Sequence, residues 1–213
     1  MKTDNLIAML STNVERVDRG QVERTISGAI GTGSAIAFVA MLVVFGVRRD
    51  FGDRYAFIFL ALKLVFTVGV VAASTLYLVR LARPGTEKTR AMHLATFPFI
   101  VMVLLAAASL GLAPTAHWKR MLLGDQWLEC LVSIPLIAIA PFAGIVWAVR
   151  RMAPTDLTRA GMFAGIVAGS ISATGYALHC TDDFLPFVAL WYGGTIALCA
   201  LVGARLGPRL LRW

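Results

Sequence analysis

The chain alternates long apolar stretches with short polar gaps. Six stretches of about 20 or more residues are almost wholly apolar, and the gaps between them hold most of the charged residues. An α-helix of about 20 residues spans the roughly 30 Å hydrocarbon core of a bilayer. Because the gaps are short, neighbouring helices must run antiparallel. The pattern predicts an all-α integral membrane protein with six transmembrane helices in a compact bundle. The six stretches are 26–47, 55–79, 91–112, 127–149, 158–179 and 184–204.

The residues before the first stretch are amphipathic. Leu6, Ile7 and Leu10 recur at helical spacing between polar residues. This stripe suits a surface helix that leads into the membrane, and it equally suits a recognition helix offered to a soluble partner. No hydrophobic core with a signal cleavage site occurs in this segment, so the first span is expected to serve as its own insertion signal. We therefore expect a cytoplasmic amphipathic segment over 1–25, a six-helix transmembrane domain over 26–206, and a short cytoplasmic tail over 207–213.

Lysine and arginine are distributed unequally between the two sets of gaps. Of the 20 Lys and Arg residues, 14 lie in the N-terminal segment, the gaps after the second and fourth stretches, and the tail. Five lie in the opposite gaps, and Lys63 lies inside the second stretch. The positive-inside rule therefore predicts that both termini are cytoplasmic. The same distribution explains the net charge of +8 without a basic binding face, so we expect no direct contact with nucleic acid.

The composition excludes a soluble globular domain. Hydrophobic residues make up 58% of the chain and charged residues 15%, and the mean hydropathy is +0.75, so there is too little charge to cover a soluble surface. Three cysteines are too few for a disulfide scaffold. Cys199 lies well inside the sixth stretch, where a free cysteine behaves as a small hydrophobe.

The other two cysteines are predicted to lie at the outer side of the membrane. Cys130 begins the fourth stretch and Cys180 follows the fifth. Two such thiols can form a disulfide if their Cα atoms come within about 4.4–6.8 Å, they can bind a soft metal as thiolates, or they can simply pack. No cofactor is required, and a transient heavy-metal ion at this pair is the one candidate. Candidate auxiliary ligands next to the pair are His179, Glu129, Asp182 and Asp183. The two aspartates also suit a solvated turn.

Three glycines recur every four residues in the fifth stretch. Gly161, Gly165 and Gly169 therefore lie along one side of a helix. Small residues at this spacing let two helix backbones approach closely inside a bilayer. We expect these glycines to form a helix-packing surface.

Lys63 is an ionisable residue inside a predicted membrane helix. It lies roughly 13 Å from the outer end of that helix, where a charge is costly and marks a candidate functional site. Snorkelling, or pairing with a carboxylate of the bundle, is the structural alternative. A small cation transporter or channel that uses Lys63 and the outer acidic residues is an alternative function. A membrane thiol oxidoreductase would be expected to carry a C-x-x-C pair, which the sequence lacks, so no enzymatic activity is expected.

Four segments carry a family resemblance that extends over essentially the whole chain. They are TDNLIAML from Thr3, WLECLVSIPLIAIAP around Cys130, YALHCTDDFLPFVALWYG around Cys180, and the closing GPRLLRW. They resemble the NrsF-type membrane anti-sigma factors. The resemblance implies a protein that holds an extracytoplasmic-function sigma factor at the inner face of the bacterial inner membrane. It further implies release of that partner under heavy-metal or oxidative stress, with Cys130 and Cys180 matching two important periplasm-facing cysteines.

These observations combine into one hypothesis. The chain is expected to be a six-helix bundle in contact with membrane lipid, in which an outer thiol site is coupled to an inner sigma-binding surface. Leu6, Ile7 and Leu10 are the first candidates for that inner surface.

Overall fold

The computed structural model describes residues 3, 21–48, 54–82, 90–152 and 154–212. These residues form helices and turns without a β-strand, and six of their helices are long and apolar enough to cross a membrane. The candidate partner contacts Leu6, Ile7 and Leu10 lie outside the described residues. The helices are α1 (Gln21–Val44), α2 (Arg54–Leu81), α3 (Arg90–Leu112), the short α4 (Thr115–Leu123), α5 (Trp127–Arg150), α6 (Leu157–Ala177) and α7 (Leu185–Leu210).

The six predicted apolar stretches correspond to α1, α2, α3, α5, α6 and α7. The last helix differs from its prediction because it continues to Leu210, so most of the segment expected as a tail at 207–213 is helical. It continues because Gly207 still packs on α6, where a Cβ at this position would meet the Leu157 carbonyl and lie 3.0 Å from Gly161 Cα. One wider turn of the π type, Val188–Tyr192, interrupts the first half of α7.

Helix α4 was not predicted. It follows α3 directly after Pro114, and none of its residues is buried. Trp118 Nε1 donates to the carbonyl oxygens of Leu110 and Ala113, at 3.1 and 3.3 Å. These are carbonyl groups at the end of α3, where a helix leaves its last acceptors without internal partners. The tryptophan therefore folds α4 back onto the end of α3.

Helix α6 is the centre of the bundle. Fifteen of its 21 residues are buried, compared with nine of the 24 residues of α5. It packs most extensively on α7, and also contacts α1, α2 and α5. The helix can take this position because most of its side chains are Gly, Ala and Ser, which let four neighbouring backbones approach it.

The glycines of α6 form its contact with α7. A Cβ at Gly161 would meet the Gly203 carbonyl oxygen and lie 2.6 Å from Gly207 Cα. A Cβ at Gly165 would meet the Cys199 carbonyl oxygen, and one at Gly169 would lie 3.0 Å from Cys199 Cβ. The expected small-residue surface is thus used within the chain, between α6 and α7.

The bundle has two chemically different ends. At one end, residues 178–184 connect α6 to α7 close to the start of α5, and we call it the thiol end because it contains Cys130 and Cys180. The opposite end carries Arg80, Arg150, Arg151, Arg159, Arg209 and Arg212, and we call it the basic end. Because α6 has 21 residues, the two ends lie about 30 Å apart.

Candidate thiol site

The two outer cysteines meet at the thiol end. Cys130 lies in the first turn of α5, and Cys180 lies in the turn between α6 and α7. Their Sγ atoms are 3.9 Å apart, both side chains are fully buried, and neither forms a disulfide. Cys199 lies elsewhere, on α7 against Gly169. The structure therefore brings together the two thiols that the sequence singled out.

Asp182 attaches the turn that carries Cys180 to the start of α5. Its Oδ2 atom accepts hydrogen bonds from the backbone N–H groups of Asp125 and Gln126, both at 2.8 Å. A second bond runs the other way, because the Thr181 N–H donates to Gln126 Oε1 at 3.1 Å. A carboxylate is well placed there, since the start of a helix presents unpaired N–H groups and a positive dipole end. These bonds fix the position of Cys130 relative to Cys180.

Gly124 makes this attachment possible. Its φ of +57° is a left-handed conformation that residues with a side chain rarely adopt. A Cβ at this position would also lie 2.6 Å from Asp182 Oδ2 and 2.7 Å from the Phe187 ring. Only glycine therefore lets the chain pass this close to the Asp182 carboxylate before α5 begins.

A buried ion-pair cluster supports the same turn from the other side. Asp183 pairs with Lys63 (Nζ–Oδ1 2.6 Å) and with Arg48 (Nη2–Oδ2 2.7 Å), and we call these three residues the cation cluster. Relative exposures of the Arg48, Lys63 and Asp183 side chains are only 1%, 0% and 11%. Charges this deeply buried persist only when they are paired and hydrogen-bonded.

The cation cluster also binds the backbone of the turn. Lys63 Nζ donates to the carbonyl oxygens of Cys180 at 3.2 Å and Asp182 at 2.9 Å. Arg48 Nη1 donates to the same Cys180 carbonyl at 3.2 Å. The lysine that the sequence marked as an intramembrane charge is thus engaged with the turn next to the thiols. Of the alternatives for Lys63, its contacts correspond to pairing with a carboxylate of the bundle.

The four candidate auxiliary ligands have other environments. The Asp182 and Asp183 carboxylates make the contacts described above, so they do not form a solvated turn. Glu129 is exposed, and His179 Nδ1 lies 3.3 Å from the Gly46 carbonyl oxygen with its ring against Phe45. Among the described residues, no group of three or more His, Cys, Asp or Glu side chains is arranged to hold a metal ion.

Two tyrosines complete the surroundings of the thiols. Tyr176 and Tyr192 are fully buried, and their hydroxyl groups have no well-formed hydrogen bond within the described part of the chain. The Tyr176 hydroxyl is close enough to Cys130, and the Tyr192 hydroxyl to Cys180, to affect thiol ionisation. Lys63 Nζ also lies 5.2 Å from the centre of the Tyr192 ring, a cation–π distance. Each thiol therefore has a phenol beside it.

The surroundings of Cys180 favour its ionisation. Cys180 lies in the turn between α6 and α7, and the hydrogen bond with Cys130 lowers its pKa to about 7. The positive charge of Lys63, the Tyr192 hydroxyl and the Asp182 backbone act in the same direction, whereas burial opposes them. The positive charge of Lys63 therefore favours the thiolate of Cys180, and the thiolate is the reactive form of cysteine.

Sequence reasoning missed Arg48, Tyr176 and Tyr192. Arg48 was counted only as a topology charge, although it follows an apolar stretch on the same side as Asp183. The burial of Lys63 could have indicated the site, because a buried lysine requires a carboxylate partner, and Asp183 lies on the same side. The two tyrosines occur within the same quoted motif as Cys180, but nothing in the sequence distinguishes them from ordinary core aromatics.

Fold and site together define a helical protein suited to a multi-pass membrane location, with a buried dithiol at one end. The family model described as "NrsF: Negative regulator of sigma F" matches residues 10–213, so the chain belongs to the NrsF family. It is 32% identical to "Probable anti-sigma-F factor NrsF" of Azospira oryzae and 29% identical to "Anti-sigma-F factor NrsF" of Caulobacter vibrioides. Both alignments cover the full length of both chains. No solved structure matches the chain. The family consists of regulators, so the protein is a regulator and not an enzyme.

Proposed function

We propose that this protein is a membrane-embedded anti-sigma factor that releases its partner when the thiol pair is oxidised. The partner is a sigma factor of the extracytoplasmic-function type, held at the inner face of the bacterial inner membrane. Family membership and the names of both relatives support the anti-sigma activity. Six helices with the length and hydropathy of membrane spans support the tether.

The proposed orientation has the basic end in the cytoplasm and the thiol end in the periplasm. Its support is the excess of Lys and Arg at the basic end, as the positive-inside rule requires. In this orientation the thiols face a compartment in which disulfides form and persist. The sigma factor lies on the opposite side, about 30 Å away along α6.

The observation that carries the proposal is the 3.9 Å contact between Cys130 Sγ and Cys180 Sγ. The two residues belong to different elements, so a disulfide between them would change how α5 meets the turn between α6 and α7. Oxidation needs no further ligand. A metal would have only the two thiolates, because the described residues offer no third ligand. The geometry thus favours oxidation over metal binding as the signal.

The bundle is suited to transmit such a change. Through Gly161 and Gly165, α6 and α7 are in direct backbone contact, so the pair moves as one rigid body against α5. Shifting a two-state equilibrium from 1:99 to 99:1 requires about 5.5 kcal/mol. For a dithiol this equals a difference of about 120 mV in reduction potential between the two conformations.

The sigma-binding surface lies at the basic end and includes the N-terminal segment. Leu6, Ile7 and Leu10 are its proposed apolar anchors, presented as one stripe of a helix that enters a groove of the partner. Thr12 lies off this stripe and supplies a matched control position.

Co-purification tests the anti-sigma activity. The tagged full-length protein is solubilised from the membranes of its own host, and the accompanying polypeptides are identified by mass spectrometry. A sigma factor is expected with the wild-type protein and with Thr12→Asp, and its loss is expected with the double substitution Leu6→Asp and Leu10→Asp. Recovery of no sigma factor with the wild-type protein would refute the proposal.

Cysteine labelling tests the orientation. Asp125→Cys places a thiol at the thiol end and Thr155→Cys places one at the basic end, and both positions are exposed. A membrane-impermeant maleimide added to spheroplasts is expected to label the first variant, and the second only after the membrane is broken. The reverse pattern would invert the proposed orientation and exclude a periplasmic thiol site.

A further inference from the structure

Lys63 is a buried charge next to one of the two thiols. A disulfide switch requires two thiols, but it does not require a lysine buried beside one of them. Lys63 is 1% exposed, and its ammonium group has three oxygen partners within 3.2 Å: Asp183 Oδ1 and the carbonyls of Cys180 and Asp182. These contacts use all three ammonium protons. All three partners belong to the turn that carries Cys180.

We propose that the thiols have separate roles: Cys180 attacks a small peroxide-type oxidant, Cys130 resolves the product, and Lys63 is the positioning residue that prepares Cys180. This inference rests on the proposed function, since it specifies how the thiol pair is oxidised. It assigns Lys63 a role in the chemistry of the turn in addition to its ion pair.

The asymmetry of the contacts supports this division. Cys180 has its carbonyl oxygen bound by Lys63 and Arg48, and its Sγ lies 3.9 Å from the Asp182 carbonyl oxygen. Cys130, by contrast, is an ordinary helical residue whose N–H donates to the Gln126 carbonyl oxygen at 3.0 Å. The cation cluster thus contacts the backbone of Cys180 directly, whereas the charge of Lys63 reaches the Cys130 thiol only through space.

The position of Lys63 favours a thiolate at Cys180. Its ammonium group donates to the Asp182 carbonyl oxygen at 2.9 Å, and Cys180 Sγ lies 3.9 Å from the same oxygen, so the positive charge lies next to the thiol. The Asp182 carboxylate is directed to the backbone N–H groups before α5. The titratable and charged groups around Cys180 are Arg48, Lys63, Glu129, Cys130, Tyr176, His179, Asp182, Asp183 and Tyr192.

The reaction has two steps. In the first, the Cys180 thiolate attacks one oxygen of the peroxide, an S–O bond forms, the O–O bond breaks, and the leaving alkoxide or hydroxide takes up a proton. In the second, Cys130 attacks Sγ of the Cys180 sulfenic acid, the S–S bond forms, the S–O bond breaks, and hydroxide leaves as water with the Cys130 proton. Overall, two thiols and one peroxide give one disulfide, one alcohol or water, and one water.

Trapping of the sulfenic acid tests the assignment of Cys180. Full-length Cys130→Ala and Cys180→Ala variants in detergent or nanodiscs are treated with hydrogen peroxide and dimedone, and adducts are located by mass spectrometry. Cys130→Ala keeps the contacts of Lys63 with the Cys180 turn and is expected to give an adduct at Cys180. Cys180→Ala is expected to give at least about tenfold less adduct at Cys130, because Lys63 is bound to the turn that carries Cys180. Equal or reversed adduct yields would overturn the assignment.

The pH dependence of alkylation tests the role of Lys63. Labelling of Cys180 with iodoacetamide is followed residue by residue against pH, with Cys199 as the internal reference thiol. Lys63→Met is expected to raise the midpoint by one pH unit or more, which lowers the rate at pH 7 about fivefold or more, and Lys63→Arg is expected to restore most of it. Gln126→Ala removes the acceptor of the Thr181 N–H without changing any charge, and it is the matched control for a merely loosened turn.

The outcomes separate the inference from its alternatives. Equal midpoint shifts in Lys63→Met and Gln126→Ala, or no recovery in Lys63→Arg, would show a structural role only and overturn the proposal. If Lys63→Met fails to fold, the pH profile of the wild-type protein still tests the proposal. Labelling of Cys130 at a lower pH than Cys180 would refute the assignment of Cys180 as the attacking thiol. None of these measurements involves the sigma factor, so failure of the inference and failure of the proposed function are distinguishable.

Discussion

Replacement of Gly165 by alanine tests the packing that joins α6 to α7. The added Cβ would meet the Cys199 carbonyl oxygen and lie 2.9 Å from its carbonyl carbon and 3.2 Å from Ala200 Cα. All three are backbone atoms, so no side-chain rotation relieves the clash and the two helices must separate. Overpacking of this kind costs about 1–3 kcal/mol, and separation of the helices also weakens the contacts of Gly161.

The same substitution carries an intrinsic benefit that must be subtracted. Alanine is favoured over glycine within a helix by about 1 kcal/mol. We therefore expect Gly165→Ala to lower the free energy of unfolding by about 1–2 kcal/mol. Gly175→Ala is the matched control on the same helix, because a Cβ there would meet no heavy atom within 4 Å. It is expected to be neutral or stabilising by up to about 1 kcal/mol.

Thermal unfolding in detergent, followed by the loss of the monodisperse size-exclusion peak, measures both variants under the same conditions. For a chain of this size, about 1–2 kcal/mol corresponds to a decrease in Tm of roughly 2–8 °C. Gly165→Ala should therefore unfold several degrees below Gly175→Ala. A Gly165→Ala variant as stable as Gly175→Ala would refute the close backbone packing of α6 and α7, and with it the rigid coupling between the two ends of the bundle.

Two further substitutions test the thiol end. Gly124→Ala should destabilise the protein by about 2–3 kcal/mol, because the alanine would be strained at a positive φ and its Cβ would clash with Asp182 and Phe187. An unchanged Tm in a thermal scan would contradict the attachment of α5 to the turn. Trp191→Phe should cost about 1 kcal/mol because it removes the 2.8 Å bond from the indole Nε1 to the Leu122 carbonyl oxygen. Wild-type stability of this variant in the same scan would show that the bond does not hold α4 to α7.

The six long helices could be predicted because each has the length and apolar composition of a membrane span. Helix α4 could not, since its nine residues combine charged and apolar side chains at low hydropathy. Its helical form depends on Trp118 donating to the end of α3, a contact between residues that only the fold brings together. The end of α7 was placed too early because the apolar stretch stops before Arg205, whereas the helix continues to Leu210. Packing of Gly207 against α6 outweighs that local signal.

The candidate site could be predicted in its residues but not in its contacts. Sequence placed Cys130 and Cys180 at one side of the membrane by counting charges, yet their approach to 3.9 Å depends on the bonds of Asp182 to the start of α5. The pairing of Lys63 with Asp183 links residues 120 positions apart, so no local pattern reveals it. Arg48 was assigned to topology alone, because a short loop of basic residues normally contacts water or lipid headgroups.

The most direct test of the proposed switch is the release of the sigma factor from the purified complex. The complex in nanodiscs is treated with hydrogen peroxide, and the bound fraction is measured before oxidation, after oxidation, and after reduction with dithiothreitol. We expect release from the wild-type protein and from Cys199→Ser, rebinding after reduction, and no release from Cys130→Ser or Cys180→Ser. Equal release from all four proteins, or retention by the oxidised wild-type protein with a verified Cys130–Cys180 disulfide, would contradict the proposed switch.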